Sequence, residues 1–218
     1  MNVIVDQKRK AGRKWTRSRL INSSIDVTCR LRSYAVNRKK VVSIAELICG
    51  HLRVGGHQLS ISIVNSEKIR NLNKKFRGID QSTDILSFPQ QEWQKPLKIF
   101  YRMPSSKLHR VIEADSVLTK HKKSLYISEP SEHTEQKVLG DIVISLDDAE
   151  QNAKKIGHNL DREFCFLLIH GILHLCGYDH QSPRQEKVMC EGQKKMMALL
   201  RGLHSKKQPI WISCVKRT

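Results

Sequence analysis

The stretch from Phe164 to Leu175 constrains this chain more than any other. It is apolar nearly all round, interrupted by His170, Gly171 and His174. A helix apolar on every side has to be buried on every side, so the rest of the chain is expected to wrap it. Asp161 is the expected cap and Gly177 the expected stop. In a helix, residues four apart lie ~40° apart around the axis and ~6 Å along it. His170 and His174 therefore share one face at chelating distance. Gly177 lets the chain leave the helix and turn back, so that His180 reaches the same ion.

Three imidazoles leave a tetrahedral zinc one open position, the pattern of catalytic rather than structural sites. Neutral ligands preserve the double charge of the ion, and a water held there ionises near pH ~7. Imidazole donors also suit nickel, copper or iron. The bland alternative is three separately satisfied core histidines. Cys176 lies two residues from His174, on the far side of an intact helix, and is read as a core thiol. The H-x-x-x-H spacing invites comparison with the H-E-x-x-H of metalloproteases, whose Glu is the general base. Gly171 occupies that position and cannot take up a proton, which disfavours peptide hydrolysis. Phosphodiester cleavage needs charge stabilisation at the phosphate, which a metal and an arginine supply. Arg77 has the planar fork that matches phosphate oxygens, but as one of 39 basic residues it is by default a surface residue that composition does not single out.

Charge points the same way. The chain has 218 residues, 39 Lys and Arg against 21 Asp and Glu, and a net charge of +18. That size fits one domain with extensions, and that balance implies a polyanionic partner, nucleic acid or an anionic membrane surface. The first 40 residues carry 12 basic residues and two acids, and the last 18 carry five basic residues and no acid. Both ends read as solvated tails or as arms on RNA phosphates. No apolar run approaches the ~20 residues of a membrane span. The N-terminus lacks a secretory apolar region. The basic first 24 residues fit a ribosome-facing arm or an organellar transit peptide. Six scattered cysteines, with no C-x-x-C pair, suggest free thiols in a reducing compartment.

Alternation at Ile25, Val27, Cys29 and Leu31 predicts a strand over 25–36. A capping box at Ser43–Glu46 predicts a helix over 44–53, ending near Gly55-Gly56. Leu59, Ile61 and Ile63 predict a half-buried strand, and Ser66 a cap for a helix that aligns Ile69, Leu72 and Phe76. Residues 84–88 read as a short strand ended by Pro89, and 140–145 as another strand. Ser145 and Asp148 open a helix that runs to Gly157, and a last helix covers 183–201. Residues 90–137 are polar, Lys-rich and weakly periodic, and read as an insertion or long loop. The interspersed elements favour an α/β or α+β domain with helices on one sheet.

The stretch Leu167–His180 resembles the HGxLHLxGYDH signature of the YbeY endoribonuclease family, the rRNA maturation factors. Leu72-Asn73 through Phe76-Arg77, with Thr83–Pro89, is similar to that family's LN…(F/Y)R…PTDVLSFP block, and Leu139–Ser145 to its LGDIxIS strand. The resemblance implies a single small α+β domain, a mixed sheet packed with helices, over residues 25–201. It places the metal site at the buried helix and the turn after it; outside the resemblance, the charge distribution marks residues 1–24 as a basic extension and 202–218 as a basic tail. It implies one zinc on His170, His174 and His180, with His170 and Arg77 catalytic and Arg77 contacting RNA. Asp179 either orients a ligand imidazole as an outer carboxylate or is a turn residue. Asp84 and Asp141 are expected to be structural acceptors at strand starts. The implied activity is single-strand-specific cleavage in maturation of the 16S-type ribosomal RNA 3′ end and in ribosome quality control. The implied partners are the small ribosomal subunit, ribosomal proteins or a ribosome-associated GTPase, with no membrane. The compartment is the cytoplasm, or a mitochondrion or plastid if residues 1–24 are a transit peptide. Three departures stand out: Ser82 where the family usually has proline, Gln193 where an acid is common, and the length of 90–137. Two rival readings are an RNA-binding factor with a structural metal and a zinc peptide hydrolase.

Overall fold

A computed structural model describes residues 24–100, 137–202 and 214–216. The basic extension, apart from Ser24, lies outside them, as do residues 101–136 of the long loop and most of the C-terminal tail. The elements run β1 (Ile25–Cys29), β2 (Tyr34–Val36), α1 (Arg38–His51), β3 (Gln58–Val64), α2 (Ser66–Arg77), β4 (Ile85–Pro89) and β5 (Val138–Ser145). They continue with α3 (Leu146–Ile156), α4 (Leu160–Leu175), α5 (Pro183–Gly202) and β6 (Cys214–Lys216). The main sheet is mixed, in the order β1-β3-β5-β4, with β4 alone antiparallel to its neighbour. This is the α+β domain expected.

Strand alternation divides the sheet into two faces. Leu59, Ile61, Ile63, Ile142 and Ile144 join the main core with α1 and α4. Leu86 and Val143 point the other way and pack with Ile69 of α2. Leu168, Ile169, Ile172 and Leu173 of α4 have no exposed surface. At on the order of 1.5–3 kcal/mol for each buried side chain, they anchor α4 more firmly than any surface contact could.

Several local expectations are corrected. The predicted strand over 25–36 is two strands, and β2 leaves the main sheet to pair antiparallel with β6. Three helices are capped by asparagine, not by the residues expected. Asn37 caps α1 six residues before Ser43, Asn65 stands ahead of Ser66, and Asn159 ahead of Asp161. Each asparagine side chain accepts an N–H from the first turn, as Ser145 does for α3. Serine and aspartate satisfy the same rule, so local chemistry left the choice to the point where the preceding strand or turn ends. Pro89 is the last residue of β4, not its stop, and lies opposite Gly140. The outer position of β4 allows it, because the missing N–H faces no second strand.

Part of the expected insertion is a docked strap. The Trp93 indole donates to the Leu175 carbonyl (2.8 Å), and Leu97 N–H to the Cys176 carbonyl (3.1 Å). Tyr178 O–H donates back to the Leu97 carbonyl (2.6 Å). These bonds satisfy carbonyls that the end of α4 leaves without helical partners. They also hold the turn that follows α4.

A candidate metal centre on a buried helix

The helix is not buried on every side. Arg162 and Phe166 are exposed, and His170 and His174 are half-buried. These residues recur every fourth position and form one open stripe along α4. Phe166 is 38% exposed and its ring stacks over His170 at a centroid distance of 6.3 Å. The i, i+4 spacing of Arg162, Phe166, His170 and His174 was the available signal, hidden because Phe166 counts as apolar.

Gly171 explains how the stripe comes to lie where it does. A side chain there would meet Ile85 Cδ1 at 2.9 Å and Ile142 Cδ1 at 3.0 Å. Glycine lets α4 press onto the β4–β5 edge, with the neighbouring His170 turned outward. The position that carries the base in metalloproteases therefore faces the sheet. At the helix end, Gly177 has φ +85, in the left-handed region where side chains are strained, and a Cβ there would also strike Trp93 at 2.9 Å.

After this turn His180 comes back to the helix. One ligand atom from each of His170, His174 and His180 lies within 4.8 Å of the others. The Nε2 atoms of His170 and His174 are 3.0 Å apart. Nitrogens ~2.0–2.1 Å from a tetrahedral zinc lie about 3.3 Å from one another, so the cluster is close to ligating geometry. Burial, then the charges of His174 and His180, lower the His170 pKa to about 4. Burial and the His180 charge also lower that of His174, against the Asp179 carboxylate, which raises it. Both rings are therefore neutral near pH 7, as metal ligation requires. The three residues fit a metal ion and can hold one.

The other expected residues sit as follows. Arg77 ends α2, is exposed, and its charge also lowers the His174 pKa, placing it in electrostatic reach of the histidines. The Asp179 carboxylate accepts the His180 N–H (2.8 Å), a turn contact. The group on the far nitrogen of His170 is the buried side chain of Gln193 of α5, 2.8 Å from His170 Nδ1. Asp84 accepts from Asn152 and so ties the start of β4 to α3 (3.0 Å). Ser82 donates to Asp148 (2.8 Å), a bond that proline could not make. Cys176 is fully buried, and burial drives its thiol far above the usual range, so it is a core thiol as expected.

A pH dependence follows. The unfolded chain protonates His170 below about pH 6.5, whereas the folded site resists until about pH 4. Between these values the unfolded state binds more protons, so stability falls as pH falls through that window. Melting curves of chelator-treated protein at stepped pH are expected to show this loss, and His170→Asn to flatten it. An unchanged slope in the variant would remove His170 as the cause.

The family model of endoribonuclease YbeY matches residues 26–201, nearly all of the described chain. The chain belongs to that family. The endoribonuclease YbeY of Caldanaerobacter subterraneus is 37% identical over 143 residues, covering 66% of this chain and 73% of the relative. That of Listeria welshimeri is 33% identical over 162 residues, covering 74% and 84%. The solution structure of a Thermotoga maritima protein superposes over 82% of this chain and 89% of its own, with 24% identity and a TM-score of 0.48. No helix among the described residues is long and apolar enough to cross a membrane.

Proposed function

We propose that this endoribonuclease-family chain uses one zinc ion to cut single-stranded segments of ribosomal RNA, in maturation of the 16S-type 3′ end and in ribosome quality control. The observation that carries the reading is the convergence of His170, His174 and His180 beside the exposed stripe of α4. The net charge of +18 supports a polyanionic substrate bound on or beside the small ribosomal subunit, with ribosomal proteins or a GTPase in reach. The site of action is wherever those ribosomes are, cytoplasm or organelle.

His170, His174 and His180 would hold the ion through one ring nitrogen each. Zinc bound there supplies positive charge that polarises a phosphate oxygen. Arg77, whose charge reaches His174, carries a fork of N–H donors and stabilises the negative charge that builds on the phosphate. Phe166, 38% exposed beside His170, and Phe76, 57% exposed beneath the Lys75 ammonium, supply aromatic surface for unpaired bases. Duplex RNA keeps its bases stacked and cannot use such faces, which supports a single-strand preference. Peptide hydrolysis is disfavoured, because Gly171 faces isoleucines and contributes no base.

The decisive experiment is cleavage of a single-stranded and a duplex RNA of the same sequence, before and after chelation and zinc return. Cleavage of the single strand alone, lost with chelator and restored by zinc, is expected. Equal cutting with chelator present would sink the metal reading. Ends bearing 2′,3′-cyclic phosphate would assign attack to the ribose hydroxyl, and 3′-OH ends to water. In the same assay Phe166→Ala is expected to raise KM, since each stacked base contributes roughly 1–3 kcal/mol, about 5–150-fold. Its kcat and zinc content should stay near wild type. A KM within error of wild type would exclude Phe166 as a base platform.

A further inference from the structure

An imidazole that gives its Nε2 lone pair to a metal must carry its proton on Nδ1, and that proton needs an acceptor. Nε2 of His170 faces His174 Nε2 at 3.0 Å. Its Nδ1 lies 2.8 Å from the amide nitrogen Nε2 of Gln193, the donating end of the carboxamide. Gln193 is 7% exposed, one of few buried polar side chains among the described residues. It comes from α5, 23 residues along the chain from the ligand it touches. Its neighbour Gly192 lets α5 close on the turn after α4, since a Cβ there would meet Tyr178 at 3.1 Å. A polar side chain placed so deep, against the ring atom that does not face the other histidines, needs a partner.

We propose that Gln193 is a positioning residue that sets the tautomer of His170 and thereby its competence as a metal ligand. This rests on the reading of the three histidines as a metal site. The two ends of a carboxamide have nearly the same shape and opposite hydrogen-bonding character. With the amide nitrogen toward Nδ1, the side chain donates, the ring proton sits on Nε2, and Nε2–H points at His174. Turned by 180°, the Gln193 oxygen accepts Nδ1–H, and the Nε2 pairs of both histidines are free. Only the second arrangement ligates. Glutamine can serve both arrangements, whereas glutamate, once ionised, accepts only and would hold the ligating tautomer permanently. The carboxamide therefore makes metal capture by His170 depend on a side-chain turn that a carboxylate would not require.

The test is zinc affinity, by competition with a chromophoric chelator, for wild type, Gln193→Leu and Gln193→Glu. Circular dichroism in excess chelator checks the fold of each. Groups behind a ligating histidine typically change metal affinity by roughly 10–100-fold. Gln193→Leu is expected to bind zinc weaker by that factor, and Gln193→Glu at least as tightly as wild type. The wild-type protein gives a readout without substitution: imidazole nitrogen NMR of the zinc-loaded sample should show the His170 proton on Nδ1. Wild type that binds one zinc while folded Gln193→Leu binds it equally overturns the proposal, as does a His170 proton on Nε2. If Gln193→Leu does not fold, Gln193→Glu and the NMR tautomer decide by themselves. Wild type that binds no zinc would overturn the metal reading and this inference together.

Discussion

His174→Ala is expected to leave a folded protein that has lost both its metal and its cutting of RNA. The substitution removes one of three donors and opens no large cavity, because His174 is half-buried. Removing a ligand should weaken metal binding by more than the ~10–100-fold that outer groups control. Arg77→Ala is expected to separate the two functions. It touches no ligand, so metal content should match wild type, while kcat falls by ~10²–10³-fold, as when one charge-stabilising donor is removed. Metal analysis and single-turnover cleavage on the same samples check both variants. Full metal content in His174→Ala would remove that residue from the site. Normal kcat in Arg77→Ala would move charge stabilisation to another of the basic residues. A structural metal would instead make His170→Ala unfold.

The second large effect is expected at Gly171→Glu, which installs the residue that metalloproteases carry there. The added Cβ would stand 2.9 Å from Ile85 and 3.0 Å from Ile142, and the carboxylate would follow it toward the apolar face of the sheet. Overpacking costs about 1–3 kcal/mol, and an unpaired buried carboxylate costs several more unless it protonates. A loss of ~4 kcal/mol or more corresponds to a fall in Tm of roughly 10 °C in a domain of this size. Calorimetry of wild type, Gly171→Ala and Gly171→Glu tests the claim. The alanine variant should lose far less, because its gain of about 1 kcal/mol in helix propensity offsets part of the clash. A Gly171→Glu protein that melts with wild type would show that this position does not face the sheet. Peptidase activity in that variant would show that the carboxylate reaches the metal site.

His174→Ala and Gly171→Glu divide what was legible in the sequence from what was not. The spacing of His170 and His174 and the glycine break before His180 bring together three imidazoles that could hold a metal ion, because helical geometry is local and nearly invariant. The alternations at Leu59, Ile61 and Ile63, and the run from Asp141 to Ser145, specify strands for the same reason. What those patterns omit are contacts between segments far apart in the chain. That Gly171 faces isoleucines of β4 and β5, that Phe166 is open, and that Trp93 bonds the end of α4 all depend on how elements dock. The choice of Asn37 over Ser43 as a cap was also tertiary, since both residues satisfy the local rule. Gln193 shows the difference most clearly. By sequence it marks only a missing acid, 23 residues from His170, whereas the fold places its carboxamide 2.8 Å from that ring. Ligand spacing follows from the period of one helix. The partner behind the ligand follows from where a second helix packs, and no local period encodes that.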